Sequence, residues 1–301
     1  MEFDALKACC VVLPISIVGL SINGTVAFAV RRSRSFGFAF GSLMLSQVIA
    51  NIGNQIIYLL FVGLLTLIQP SWHDMYWARR SGQFLVFFFN ASVFAHLFAA
   101  INRALVIIFP IKAIKFYGDE KITKISITII WTLAMANSAI YWIPTCSMRF
   151  DPVAFGFLYA ETYCGYITEH FTDFGVSITV VTAITVIDLV SFLFLRRLRN
   201  LNPRRKQREI RFFAQACIQS ALLVLSTLFF FYFYKFSPNP WYVFTSTTLA
   251  WELVHTLDGA VVFAFNSEVR NIIVKTLLRK KTAVGSRPTS VAGSKVFLPT
   301  R

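Results

Sequence analysis

Seven long apolar runs, separated by short polar stretches, dominate the chain. They extend from Cys9 to Val30, Phe38 to Ile68, Ser81 to Phe109, Ile122 to Cys146, Phe174 to Leu195, Ile210 to Tyr234 and Trp241 to Phe265. A helix needs about 20 mostly apolar residues to cross the hydrocarbon core of a bilayer, and every run is that long. The second and third exceed the requirement, which predicts tilt or extension past the hydrocarbon. None alternates like a barrel strand. In lipid each backbone group has to be satisfied within its own segment, so helix is the expected state throughout. The fold class predicted is an all-α membrane protein, a seven-transmembrane helix bundle. After the seventh run, Val269, Ile272, Ile273, Leu277 and Leu278 recur at helical spacing with Arg270, Lys275, Arg279 and Lys280 between them. This predicts a short amphipathic helix over about 266–281, lying on the leaflet where anionic headgroups attract cations. From Thr282 the composition turns to Ser, Thr, Pro and Gly. The expected organisation is therefore one seven-transmembrane domain over 1–281 and a disordered cytoplasmic tail over 282–301.

Charge orients the bundle. The chain is 56% hydrophobic and 14% charged, with a net charge of +15. Such a charge suggests nucleic acid, but here it sits in short clusters between apolar runs rather than on a polar domain, and no nucleic-acid partner is expected. Of the 29 basic residues, 24 fall in the first, third and fifth connections with their flanks and in the tail. The other side holds only Lys7, Arg79, Arg80, Arg149 and Lys235. This asymmetry places the crowded side in the cytoplasm and, with an odd number of spans, the N-terminus outside. The first run is expected to act as a retained signal-anchor, since no cleavable signal precedes it. Five cysteines stand at 9, 10, 146, 164 and 217 without a CxxC pattern. No nucleophile–base pair, metal cluster or phosphate loop is visible, so neither enzyme chemistry nor a cofactor is expected.

Several strings carry a resemblance. Asn23 stands in an N-x-x-V context; Leu45-Ser46-Gln47-Val48-Ile49-Ala50-Asn51 looks like an LSxAxAD pattern; Asn102-Arg103-Ala104 is followed by Pro110 at the spacing of a D-R-Y…P motif. Trp131 is in the middle of the fourth run. Asp258 to Arg270 aligns without gaps on an N-P-x-x-Y…N-P-E-x-R end. These resemble rhodopsin-like G-protein-coupled receptors. Ser35-Phe36-Gly37, Leu43…Ser46-Gln47 and His96…Ile101-Asn102-Arg103…Phe109-Pro110 resemble more closely the nematode serpentine chemoreceptors of class X, as does a cysteine pair after the fourth run. The resemblance covers the chain from about residue 10 to 280. Departures are visible too. Asn51 replaces the usual aspartate, Asn102 the acid before the arginine, Gly259 the proline and Val262 the tyrosine. The sixth run has no Cys-Trp-x-Pro, and 69–103 contains no cysteine.

The resemblance implies a chemosensory receptor in the plasma membrane, by the same resemblance in sensory cilia. Its partners would be the lipid bilayer, an external small molecule and a heterotrimeric G protein. A seven-span transporter or channel is the rival; it would need a continuous polar path or internal repeats, and no repeat is visible. Arg103 would be the G-protein-contacting arginine, with Asn102, Asn51 and Asp258 in the switch; a snorkelling interfacial arginine is the plainer alternative for Arg103, and a polar packing contact to Asn23 or Asn51 the plainer one for Asp258. A charge at this depth needs a partner. Asp188 lies eight residues before Arg196, hence about 12 Å from the basic end at 1.5 Å rise per residue, a depth like that of Arg103. Glu209 is the shallower alternative. Asp188 is preferred because a deep pair is better shielded. The pocket candidates are Phe87, Asn90, Tyr141, Trp241, Trp251, Glu252 and His255, weighed against packing and interfacial roles. His96 is read as an interhelical hydrogen-bonding group. Cys146 and Cys164 are expected to pair within the loop, with free thiols or bridges to Cys9 or Cys10 as the alternatives.

Overall fold

A computed structural model describes residues 4–33, 37–197 and 203–285. Seven helices are long and apolar enough to cross a membrane: Ala5–Arg32, Phe38–Ile68, Tyr76–Ile108, Glu120–Trp142, Tyr163–Arg197, Ile210–Phe231 and Pro240–Phe265. They are the first to seventh spans below. A further helix, Ser267–Gly285, follows the seventh. Ser35 and Phe36, with residues 198–202 and 286–301, lie outside the described residues.

The third span is the axis of the bundle. Its apolar window is 67% buried, against 28% for the first, fourth and fifth spans, which turn most of their surface outward. Small residues make this central position possible. Ala91 and Ala95 of the third span and Ala134 of the fourth pack with Leu43, Phe94 and Ile130 in one buried cluster. Lipid tails are as apolar as leucine, so close approach rather than water exclusion drives such contacts. Gly259 serves the same end in the seventh span. A Cβ there would run into the side-chain oxygen of Asn23 in the first span.

Three spans carry π-helical segments near one end: Tyr58–Leu65 in the second, Thr168–Gly175 in the fifth and Thr245–Leu249 in the seventh. Each slips the side-chain register locally. The fifth span consequently starts at Tyr163, where hydropathy suggested Phe174. The polar Glu169, His170 and Asp173 lie within its helical extension.

The fourth apolar run is shorter as a helix than the sequence suggested. The α-helix ends at Ala139, and Ile140–Trp142 and Pro144–Cys146 are 3-10 turns, because Pro144 ends regular helix. Beyond them, where only helices were expected, lies a two-stranded antiparallel hairpin. β1, Met148–Asp151, pairs with β2, Gly156–Tyr159, in the register Met148↔Tyr159 and Asp151↔Gly156. Asp151 Oδ1 accepts from the amides of Val153 and Ala154 and so forms the turn. Phe155 closes it at φ 50°, the left-handed region that a bulky residue rarely adopts. Burial of its ring and a 2.7 Å bond from Thr248 Oγ1 to its carbonyl hold it there. Cys146 and Cys164 are joined in a disulfide with Cα atoms 4.8 Å apart, bracketing the hairpin; Cys9, Cys10 and Cys217 are free thiols.

Candidate functional site

At the arginine-rich end, the third and fifth spans are joined by an ion pair. Arg103 Nη2 donates to both carboxylate oxygens of Asp188, at 3.0 and 3.3 Å. Both side chains are largely buried. The pair thereby ties the third span to the fifth. Asn102 is buried and reaches the hydroxyl of Tyr117 in the short helix Pro110–Tyr117, which Ser126 also contacts. That helix leaves Ile111 and Ile114 exposed beside Lys112 and Lys115. The Glu209 side chain lies outside the described residues, so the pair rests on Asp188.

Midway along the bundle the carboxylate of Asp258 gathers four spans. Its Oδ2 accepts from Gln47 Nε2 at 2.6 Å and Asn51 Nδ2 at 2.5 Å. Its Oδ1 accepts from Gln219 Nε2 at 2.7 Å and lies 3.3 Å from His96 Nε2. Asn51 Oδ1 in turn accepts from Ser92 Oγ at 3.0 Å and lies 2.9 Å from His255 Nδ1. Asn23 Nδ2 reaches the His255 carbonyl at 3.1 Å, and Trp131 Nε1 donates to Ser46 at 3.0 Å. The network thereby extends to the first span, and the Trp131–Ser46 bond separately ties the fourth span to the second. Apart from the half-buried Trp131 these groups are buried, where a polar atom is costly unless paired. The sequence marked Asn51 and Asp258 as switch residues and His96 as an interhelical partner. It did not mark Gln219, although Gln215 and Gln219 lie one helical turn apart on an otherwise apolar run.

At the opposite end the hairpin sits in the mouth of the bundle. Met148, Phe150, Phe155 and Phe157 belong to the same buried cluster as Tyr58, Phe230, Phe244 and Trp251. Phe150 also packs against the ring of His73, 5.0 Å between centroids. His73 is buried in the connection between the second and third spans, and its Nε2 lies 2.9 Å from Thr66 Oγ1. Loss of water pushes the His73 imidazole below its ordinary pKa of 6.5, with Asp74 and Asp151 opposing. The Tyr159 hydroxyl donates to Asp173 Oδ2 at 2.5 Å and ties the hairpin to the fifth span. Burial, reinforced by the Asp173 carboxylate, holds that hydroxyl far above its usual range, so it remains a donor.

A cavity of about 990 Å³ opens on the outer flank of the hairpin, lined among others by Arg80, Arg149, Phe157, Tyr163, Glu169 and Phe230. A small cleft beneath it is bounded by Phe89, Asp173, Ser177, Ser226, Phe230 and Trp251. Of the seven residues expected to line an outward-facing pocket, only Trp251 borders either space. Phe87 turns to the fourth span, against Trp131. Asn90 donates back to the Val86 carbonyl within its own helix. Tyr141 is buried, and its carbonyl takes the Gln83 amide. Trp241 packs on Phe244. Glu252 accepts from Ser16 Oγ at 2.6 Å, and His255 belongs to the Asp258 network. The hairpin phenylalanines fill the mouth of the bundle. Among the described residues no group of three His, Cys, Asp or Glu could hold a metal ion.

Comparison with known proteins bears on the whole bundle. Residues 13–266 match the family model described as serpentine type 7TM GPCR chemoreceptor Srx. The chain is 25% identical over 287 residues to Serpentine receptor class X 45 of Caenorhabditis elegans, covering 86% of this chain and 78% of that protein. It is 27% identical over 267 residues to Serpentine receptor class X-43 of the same organism, covering 84% and 82%.

Proposed function

We propose, from the premise that the chain belongs to the Srx family of serpentine-type 7TM GPCR chemoreceptors, that it binds an external small molecule and activates a heterotrimeric G protein. The hairpin end faces outward in this reading, and the arginine-rich end faces the cytoplasm. The observation that carries it is the Arg103–Asp188 pair at the basic end of the third span. It is a latch between spans that must separate if a partner is to enter between them. A ligand can shift such an equilibrium only by its differential affinity for the two packings. The Asp258 network supplies the mechanical link, because one carboxylate bonds to side chains of the second, third and sixth spans. A change at the hairpin end that tilts the seventh span disturbs all of them. Release of Arg103 from Asp188 then frees a cation at the cytoplasmic face.

The test is nucleotide exchange in membranes carrying the chain and a promiscuous G protein, with a small-molecule library applied from outside and ion or solute flux followed in parallel. Ligand-dependent exchange that disappears in Arg103→Ala supports the receptor. Ligand-dependent flux without exchange would contradict it.

A further inference from the structure

Beneath the hairpin, the first, second and seventh spans enclose polar atoms that the protein leaves without partners. Glu252 is fully buried. Ser16 Oγ bonds to one of its carboxylate oxygens, and Oε2 has no hydrogen-bond partner. Gln55, also fully buried, spends its amide nitrogen on the Glu252 carbonyl at 3.1 Å and on Thr256 Oγ1 at 2.7 Å. The carbonyl can only accept, so the amide cannot be flipped, and Oε1 is left as an acceptor without a donor. The Tyr58 hydroxyl is likewise buried and unpartnered, and close enough to feel the Glu252 carboxylate. Native interiors leave few buried polar atoms unpaired, and each asks for an explanation. The open acceptors are Glu252 Oε2 and Gln55 Oε1; the Tyr58 hydroxyl and the Nε1 of the adjoining Trp251 are unpartnered as well.

Phe157 of β2 packs against two aromatic neighbours of this cluster. Its ring centroid is 6.2 Å from that of Tyr58 and 6.5 Å from that of Trp251. It bridges the residue preceding Glu252 and the residue one turn beyond Asn54 and Gln55. The hairpin is thus anchored on the two aromatic side chains that flank the acceptor cluster in the second and seventh spans.

We infer that Glu252, Gln55 and Tyr58 form the head-group subsite of the proposed receptor, and that it takes a primary ammonium carried on an aryl or similarly sized apolar body. The inference rests on the receptor reading above and names the ligand class. An ammonium offers three donors and a positive charge, which answer Glu252 Oε2 and Gln55 Oε1 directly. The ring faces of Tyr58 and Trp251 suit the same cation. The apolar body takes the volume that Phe157 occupies, so ligand entry and hairpin withdrawal are one event. That event pulls β2 away from the seventh span, which carries both Glu252 and Asp258.

The probe is 2-phenylethylamine, a ring of the Phe157 size joined to an ammonium, compared with 2-phenylethanol and 3-phenylpropionate. Binding is measured by calorimetry on the full chain purified in lipid nanodiscs, where no G protein is needed. The amine is expected to bind about tenfold or more tighter than the alcohol, the usual worth of a hydrogen-bonded charge pair, and the carboxylate not at all. Glu252→Gln, which keeps the shape and removes the charge, should abolish the preference for amine over alcohol. Phe157→Ala should tighten amine binding; if that variant does not fold, Phe157→Leu should do so to a smaller degree. Equal binding of amine and alcohol, no binding of either, or an amine preference that survives Glu252→Gln would overturn the inference. Amine binding without G-protein exchange would instead strike only at the receptor reading.

Discussion

At the scale of single residues, pairing governs the behaviour of the buried charges. Breaking a buried ion pair by removing one member costs about 3–5 kcal/mol, since the other charge is left unpaired. Asp188→Ala should therefore lower surface expression, and Arg103→Ala added to it should recover part of the loss, as quantified by flow cytometry on tagged chains. His73 gives a second test. Its folded pKa lies below the unfolded value of 6.5, so the unfolded chain binds more protons. Stability from this site is complete above that value and falls as pH drops below it. Hydrogen-exchange protection of the hairpin amides should decline between about pH 7 and pH 5, and His73→Gln should remove the dependence. The Arg103–Asp188 pair was legible in the sequence because depth follows from helical rise and few charges exist at that depth. Gln47 and Gln219 were not. A neutral amide in an apolar helix signals that it needs a partner, but not where the partner lies.

At the scale of elements, hydropathy located all seven spans because each is a long apolar run, and the charge imbalance distinguished their two ends. The hairpin escaped for a physical reason. Its strands have four residues each, and their inward phenylalanines continue the apolar texture of the flanking runs. The π-helical segments escaped as well, since a register slip leaves no mark in composition. Two predictions belong here. The disulfide closes a separation of 18 residues, worth about 3 kcal/mol in the chain-entropy view. Replacing Cys146 and Cys164 together with serine should loosen the hairpin and accelerate tryptic cleavage at the exposed Arg149; an unchanged cleavage rate would show that the phenylalanines alone hold it. In the seventh span, Gly259→Ala should destabilise the bundle by about 1–3 kcal/mol, read as a lower unfolding temperature, because Asn23 is fixed by the Gly19 and His255 carbonyls and cannot yield.

At the scale of the whole molecule, three polar layers lie along one axis. At one end Ser16 and Gln55 bond to Glu252, the Asp258 network crosses the middle, and the Arg103–Asp188 pair closes the basic end. Every span but the fourth takes part in at least one layer, so a shift in one layer should be felt in the others through rigid helices. In the proposed receptor the Arg103–Asp188 pair holds the bundle in its resting packing. The most direct measurement is ligand-free nucleotide exchange on a heterotrimeric G protein, in membranes matched for receptor density. That role of the pair requires exchange several-fold above wild type for Asp188→Ala, and exchange at the level of receptor-free membranes for Arg103→Ala. Equal exchange for wild type and both variants would contradict it.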